Sequence, residues 1–255
     1  TGDTYFDLPL SDEERKKFRT LFALIKKIYL KRNVHLSKTH FAKTAVDAIE
    51  KSNELSDLPT IWYLYGIIPL MAVDLTQDYQ EEFKFKNKKE IENLIETYVK
   101  NNSSKKSTQL EKEQHLEHQE ELYIIADDFL EVSSNNWDSK KILSLISKFY
   151  ITCPSDSEFP EIFEFTDKFY MTLNKLNSLN ILDNSRKEVI LTFDALWKYL
   201  ATYKAYKSLV ELNRFENNKI ILDFNLGSLL EVRKMQFEES FQELYQKYWD
   251  NLNKD

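Results

Sequence analysis

The stretch Ser11–Tyr29, SDEERKKFRTLFALIKKIY, predicts an amphipathic helix near the start of the chain. Ser11 and Glu14 stand three residues apart, the spacing at which each side chain can hydrogen-bond to the backbone amide of the other and cap a helix start. The apolar residues that follow recur every three or four positions, which places them on one face of a helix: Phe18, Leu21, Phe22, Ile25, Ile28 and Tyr29. The stretch therefore predicts a helix with one buried face.

The scarcity of glycine extends this helical prediction to the whole chain. The 255 residues include only three Gly and five Pro. Sheet-rich folds use glycine in tight turns, and nucleotide-binding folds use it in phosphate loops. We therefore expect an all-α fold, an irregular bundle of about eight to ten helices with at most one short extended segment. The segment Ile220–Phe224 is the candidate for that extended piece.

Other helix starts are predicted where a capping residue precedes a periodic apolar run. The candidates are Ser37, Asn87, either Asn136 or Asp138, either Asp183 or Ser185 ahead of a long helix to about Asn213, and Ser228. Ser56 and Asp57 with Pro59 predict a further helix over Ile61–Leu75, buried and kinked by Gly66 and Pro69. A polar helix is expected over Glu111–Glu121, becoming amphipathic at Leu122, and a loop over Thr152–Pro160.

A polar stretch suggests how the chain is divided. Residues 101–108 contain no apolar side chain, which is typical of a loop or a lobe boundary. We predict an N-terminal helical lobe over residues 1–100, a polar loop and helix start over 101–120, and a C-terminal helical lobe over 121–255. The two lobes are expected to form one continuous domain. Because the sequence begins at Thr1 rather than Met, that domain is expected to be excised from a longer protein.

Charge, cysteine content and hydrophobic run length indicate which partners and compartments are favoured. The net charge is −7, and residues 1–100 hold 16 basic and 16 acidic side chains, so the excess of acid lies in residues 101–255. Nucleic-acid binding is disfavoured because it needs a surplus of Lys and Arg. Cys153 stands alone, which excludes an intramolecular disulfide and favours an intracellular compartment. The run Ile61–Leu75 is shorter than the roughly 20 apolar residues that a membrane span requires.

The motifs of common enzyme classes are absent from the sequence. Neither GxGxxG, GxxxxGK[ST] nor GxSxG occurs, which excludes the usual dinucleotide, P-loop and hydrolase-elbow sites. We therefore predict no catalytic residues, no cofactor and no small-molecule substrate.

Three groups of residues could in principle support chemistry. His115 and His118, with Glu111 one turn earlier, form a minimal metal arrangement, but we expect a solvated polar helix face and no metal site. Asp127, Asp128 and Glu131 could supply acid–base groups, but the apolar residues around them predict that these carboxylates point away from the core. A lone Cys153 is expected to be structural or incidental, with nothing nearby to lower its pKa.

Basic residues are concentrated in the N-terminal lobe. Lys84, Lys86, Lys88 and Lys89 precede a helix, and the first helix carries eight more basic side chains, from Arg15 to Arg32. These groups could contact phosphates or an acidic partner. Because Asp12, Glu13, Glu14, Glu81 and Glu82 are interleaved with them, we favour solvated amphipathic faces.

The aromatic content favours a binding role. Trp, Tyr and Phe make up 14% of the chain, and at its C-terminal end Phe241, Tyr245, Tyr248 and Trp249 occupy more than one face of the last predicted helix. Tyr and Trp anchor interfaces well because they bury a large area at low rotamer cost. These four residues are our candidates for binding a protein partner, although ordinary docking of the last helix would also account for them.

The segments Lys17–Ile28 and Tyr123–Val132, with the size and helical texture of the chain, resemble a known type of domain. The chain is similar to an excised helical domain of fungal nuclear adaptors, of which the nearest is the Cdc45-binding domain of the yeast treslin-type replication-initiation factors. This resemblance implies docking of a replication protein at origins in the nucleus, without catalysis. It carries over no binding residues.

Three functional hypotheses follow from the sequence. The first is an intracellular adaptor or scaffold that docks a protein, with the nucleus favoured over the cytoplasm, and with DNA replication and the cell cycle as its setting. The second is an exported helical surface or host-interaction protein, of the bacterial lipoprotein or parasite antigen type, which the Lys-, Asn- and Ser-rich texture allows. The third is a helical enzyme with an unrecognised site, whose sign would be a deep pocket lined by shifted carboxylates.

Overall fold

The computed structural model describes residues 10–212 and 223–254, and within them it confirms the all-α multi-helix fold. The described helices are α1 Asp12–Lys31, α2 Lys38–Lys51, α3 Lys88–Asn102, α4 Ser107–Glu117, α5 Glu121–Ser134, α6 Ser139–Thr152, α7 Glu161–Ser178, α8 Arg186–Glu211 and α9 Ser228–Leu252. Two short strands, β1 Thr60–Tyr63 and β2 Gly66–Pro69, form an antiparallel hairpin. Among the helices described, none combines the length and the apolar composition that crossing a bilayer requires.

Local capping places several of the helix starts where the sequence predicts them. The Ser11 hydroxyl accepts from the Glu14 amide at 3.1 Å, and the Glu14 carboxylate accepts from the Ser11 amide at 2.9 Å, which completes the capping box of α1. Ser37 caps α2 by accepting from the amide of His40. Of the two residues proposed for the start of α6, Asp138 is the cap, since its carboxylate accepts from the amides of Lys140 and Lys141.

The helix predicted over Ile61–Leu75 is wrong, because its first half forms the β1–β2 hairpin. Thr60 pairs with Pro69 and Tyr63 with Gly66, so that Leu64 and Tyr65 make the turn. Gly66 has a φ of 114°, a conformation that glycine adopts at little cost. The β-branched and aromatic residues of both strands favour extended backbone. A continuous apolar run has no period, so it does not distinguish a buried helix from a strand.

Two more segments differ from the sequence prediction. The single helix expected from Glu111 onward is interrupted between α4 and α5, where Gln119 has a φ of 52° and ends the first helix. Ahead of α8, Asp183–Ser185 form a 3₁₀ turn in which the Ser185 hydroxyl donates to the carbonyl of Ile181. The loop expected over Thr152–Pro160 is present between α6 and α7.

The predicted extended segment Ile220–Phe224 lies partly outside the described residues. Residues 220–222 are not described, and Asp223 begins a π-helical turn, Asp223–Gly227, that leads directly into α9. The expected end of α8 near Asn213 also lies outside the described residues, and α8 is described as far as Glu211.

The chain divides into two compact units. Among the described residues, the N-terminal unit comprises 10–114, 207–212 and 223–225, and the C-terminal unit comprises 115–206 and 226–254. The first division falls inside α4.

The N-terminal unit is built on the packing of α1, α2 and α3, with the hairpin against α2. At its centre the ring of Phe22 makes edge contacts with Phe41 and Tyr79, each with centroids 5.2 Å apart. Tyr29 donates to or accepts from Thr44 at 2.8 Å within the same core. Burial of these rings supplies the main apolar stabilisation of this unit.

The C-terminal unit packs α5 on α6, α6 on α7 and α7 on α9. Its core contains Phe129 stacked on Phe193, with centroids 3.9 Å apart, and Phe149 against the edge of Phe193 at 5.6 Å. Phe193 lies on α8, whose buried positions cover several sides of the helix. Burial on several sides indicates that neighbouring segments pack around this helix.

Candidate partner-binding surface

Helix α9 is fixed to the C-terminal unit by one row of residues. Leu230, Phe237 and Leu244 recur at intervals of seven, so they lie on the same side of the helix, and all three are buried. Phe237 stacks on Phe165 of α7, with centroids 4.3 Å apart and planes at 24°. The spacing therefore determines which side of α9 faces the core.

The C-terminal aromatic residues form a series of ring contacts along α9 itself. Phe241 stacks on Phe237 and Tyr245 stacks on Phe241, each with centroids 5.7 Å apart. Tyr248 follows Tyr245 at 5.8 Å, and Trp249 meets Tyr245 edge-on at 5.9 Å. The series runs along the helix axis because residues three and four apart are neighbours on a helix.

A lysine of α7 covers part of this series. Lys175 Nζ lies 5.4 Å from the ring centroid of Tyr248 and 6.0 Å from that of Tyr245, within the range of a cation–π interaction. Phe241, Tyr245 and Tyr248 are half-buried. Two of the four residues predicted to bind a partner, Tyr245 and Tyr248, therefore contact α7 through Lys175, and the role of all four in partner binding stays a prediction.

The opposite side of α9 exposes apolar side chains that no packing requirement explains. On this side Val232 is 48% exposed, Met235 67% and Trp249 44%. Trp249 is the one predicted residue that shares this exposure. Val232 and Met235 were not predicted, because the partner-binding candidates on this helix were its aromatic residues and the row that packs on α7 was not known.

Acidic and basic side chains lie on different sides of α9. Glu238, Glu239 and Glu243 are exposed. The lysines turn towards the rest of the unit, where Lys234 Nζ lies 3.6 Å from the carboxylate of Glu161 and Lys247 Nζ lies 3.3 Å from that of Glu188. The outer side of α9 is consequently acidic as well as partly apolar.

The expectation of a solvated polar face at His115 is wrong. His115 is buried, with 2% of its surface exposed, because its ring packs at 4.9 Å from Tyr123 while its Nδ1 lies 2.5 Å from the carboxylate of Asp127. Tyr123 in turn packs edge-on against Trp197 at 4.7 Å. The histidine thus joins the start of α5 to the end of α4, and the described part of the chain contains no cluster of three potential metal ligands.

The acidic cluster of α5 is divided by this contact. Asp127 points to His115 rather than simply away from the core, which corrects the prediction for that residue. Glu131 is exposed, as predicted, and Asp128 is half-buried. Residues on α4 and α5 separated by a tight turn can meet in this way, which the spacing within one helix does not reveal.

Cys153 lies at the end of α6, where its thiol contacts α7. Its Sγ is 3.3 Å from the hydroxyl of Thr166 and 3.7 Å from the carbonyl of Ile162. Burial raises the pKa of the Cys153 thiol, the direction opposite to that of a reactive thiolate. This geometry agrees with the structural role expected from the sequence.

Several basic residues of the N-terminal unit are engaged in ion pairs. Lys88 pairs with Glu81, Arg32 with Glu96 and Arg19 with Glu82. Lys26 Nζ donates to the carbonyls of Leu75 and Gln77 at 3.0 and 2.6 Å. These contacts favour the interpretation of balanced, solvated faces over that of a phosphate site.

An open groove of about 550 Å³ lies in the N-terminal unit between α1, the loop after it and the segment that ends at Glu81. Its walls include Leu30, Val34, Leu36 and Leu75, and its carboxylates, Asp78 and Glu81, are exposed to solvent. The residues described as lining it include neither His, Cys nor Ser. The groove therefore combines apolar walls with solvent-exposed carboxylates.

Comparison of the chain with protein-family models, with curated proteins and with solved structures found no match.

Proposed function

We propose that the chain is a non-enzymatic helical interaction domain that docks a partner protein on the outer side of α9. The single observation that carries this proposal is the exposure of Val232, Met235 and Trp249 on a helix that packs on α7 through a row on its other side. A long apolar side chain left in water contributes nothing to folding, whereas at an interface it excludes water and adds affinity.

The setting that we propose is the initiation of DNA replication in the nucleus, on the resemblance to the Cdc45-binding domains of treslin-type factors. That resemblance supports docking of a protein without catalysis. The acidic outer side of α9 supports a protein partner rather than nucleic acid, because phosphates would be repelled there.

The test is affinity capture from native cell lysate with the whole chain immobilised, at low and at high salt, followed by quantitative mass spectrometry. We expect one stoichiometric partner that survives high salt and is reduced roughly tenfold or more by the double variant Met235→Ser/Trp249→Ser. The matched control is Ile151→Ser/Met171→Ser, which removes apolar side chains 78% and 48% exposed on α6 and α7.

Two results would contradict the proposal. One is the absence of any specific partner at either salt concentration, which would turn the search to extracellular ligands and the exported-protein hypothesis. The other is equal loss of the partner with the test and control variants, which would place the interface elsewhere on the chain.

A further inference from the structure

The exposed side of α9 has the residue spacing of a coiled-coil seam. Counting outward-facing positions at alternating intervals of three and four gives one row, the outer stripe: Val232, Met235, Glu239, Gln242, Gln246 and Trp249. Such spacing corresponds to the a and d positions of a coiled coil. Val232, Met235 and Trp249 are apolar, whereas the three residues between them in the stripe are polar. All six residues are exposed, and the side-chain amide of Gln246 donates to the carboxylate of Asp250 at 2.8 Å.

The positions beside the outer stripe are acidic or neutral. Glu231 and Glu238 lie on one edge, and Gln236, Glu243 and Asp250 lie on the other, all of them exposed. The basic residues of α9 lie outside the stripe and its edges, and two of them, Lys234 and Lys247, pair with Glu161 and Glu188 within the unit. Charges at such edge positions determine which helix can pair with a seam.

These charges exclude a second copy of the same face as the occupant. In a symmetric pair, the glutamates at the edges would face one another, and Glu239 would enter the seam opposite a polar or acidic residue. Like charges placed opposite each other are destabilising, and a buried unpaired carboxylate costs still more. A basic helix would relieve both effects.

We infer that the outer stripe of α9 binds a basic amphipathic helix of another protein, with apolar residues at its seam and Lys or Arg beside them. This inference rests on the proposed function and specifies the chemistry of the partner. Val232 and Trp249 are 17 residues apart, which at 1.5 Å per residue is roughly 26 Å, so the partner helix extends over about five turns. Its apolar anchors meet the two ends of the stripe, and its cations meet Glu238, Glu239 and Glu243 in the middle.

The experiment uses the whole chain and three fluorescent synthetic peptides. The peptides share the same helix-forming residues at all positions outside the seam and its edges. The first has Leu in the seam and Lys at the edges, the second has Leu in the seam and Glu at the edges, and the third has Ser in the seam and Lys at the edges. Binding is measured by fluorescence anisotropy at two salt concentrations. We expect the Leu/Lys peptide to bind at least tenfold more tightly than either of the others, with an affinity that falls as salt rises.

A charge reversal on α9 tests the location. The variant Glu239→Lys/Glu243→Lys should lose at least tenfold in affinity for the Leu/Lys peptide and gain affinity for the Leu/Glu peptide. The matched control, Asp78→Lys/Glu117→Lys, makes the same change in net charge at exposed residues elsewhere and should keep the parent affinities within about twofold.

The outcomes separate the two proposals. Equal binding of the Leu/Lys peptide by the reversal variant and its control would overturn the inference, and so would binding of no peptide. Concentration-dependent dimerisation of the chain by sedimentation, abolished by Met235→Ser/Trp249→Ser, would also overturn it, because a second copy would then occupy the stripe. In each case the proposed function stands if the captured lysate partner still depends on Met235 and Trp249.

Discussion

Lys43 carries an ammonium group into the interior of the N-terminal unit, where 4% of the residue is exposed. Its Nζ donates to the carbonyl of Tyr65 at 2.9 Å, to that of Ile67 at 3.4 Å, and to the side-chain oxygen of Gln114. The same Gln114 oxygen accepts from the amide of Ile67 at 2.9 Å. Lys43 thereby links two carbonyls of the hairpin to the side chain of Gln114 through hydrogen bonds from one buried ammonium group.

Replacing Lys43 with Met should therefore destabilise the fold, although the aliphatic part of the side chain can still pack. Loss of the ammonium removes the hydrogen bonds that this buried lysine makes to two hairpin carbonyls and to Gln114, and we expect the free energy of unfolding to fall by roughly 1–3 kcal/mol. Urea denaturation followed by circular dichroism measures the change. The control is Lys51→Met on the same helix, where an exposed lysine pairs with Asp47 and the expected cost is about 0.5 kcal/mol or less. Equal stability of the two variants would show that Lys43 contributes no more than a surface lysine.

The turn of the β1–β2 hairpin requires a positive backbone φ at Gly66. Gly66 has a φ of 114° at the end of the turn, whereas Gly227, which precedes α9, has a φ of −61° and nothing within 4 Å of the position that a Cβ would take. The two glycines therefore make a matched pair, with the same substitution in opposite backbone environments.

We expect Gly66→Ala and Gly227→Ala to change stability in opposite directions. The first forces a side chain into a conformation that L residues rarely adopt, at a cost of roughly 1–3 kcal/mol. The second removes backbone freedom from the unfolded chain at a compatible site, so it should be neutral or stabilise by up to about 1 kcal/mol. The stabilities of the two variants and the parent are compared through their urea denaturation midpoints. A destabilisation of similar size in both would mean that the turn imposes no special constraint.

The elements differ in how far their sequence determines them. The starts of α1, α2 and α6 were predictable because a cap is a contact between residues three apart, such as Ser11 and Glu14. The hairpin was not, since the run from Ile61 is apolar throughout and its extended form depends on its packing against α2. The burial of His115 was also beyond prediction, because its partner Asp127 lies on the next helix, across a turn that the sequence did not reveal.

The sequence predicted which helix carries the candidate surface but not which of its residues are exposed there. The sequence indicated α9 and Trp249, and the exposed side of that helix does carry Trp249. Which of its other residues are exposed follows from the row that packs on α7, and Phe237 identifies that row through its contact with Phe165. Once the row is known, Val232 and Met235 follow from helix geometry alone. Position in the chain thus pointed to the helix, while tertiary packing selected the face.

At the scale of the whole molecule, both units bury tyrosine side chains whose pKa values are raised. Burial is the main cause for Tyr29 in the N-terminal unit and for Tyr199 and Tyr203 in the C-terminal unit. Nearby carboxylates add to the effect in the second unit, where Asp156 accepts from the Tyr203 hydroxyl at 2.8 Å and Glu161, Glu231 and Glu164 surround Tyr199. Each of these phenols is held protonated in the folded state beyond the pH at which it ionises in the unfolded chain.

The chain should consequently lose stability in alkali. Since the pKa of each group is raised on folding, its contribution is fully present below the unfolded value of about 10 and is lost as the pH rises towards the folded value. Above pH 10 the unfolded state binds fewer protons than the folded state, so the free energy of unfolding falls, by at most about 1.4 kcal/mol per pH unit for each such tyrosine. Urea midpoints at pH 7.5, 9.5 and 10.5 measure the decline in the free energy of unfolding.

The variant Tyr199→Phe removes one ionisable group from the core. Its free energy of unfolding should match that of the parent at pH 7.5 within about 1 kcal/mol and should fall less steeply above pH 10. A slope identical to that of the parent would mean that Tyr199 ionises alike in the folded and unfolded chain, and that the alkaline loss arises from other groups.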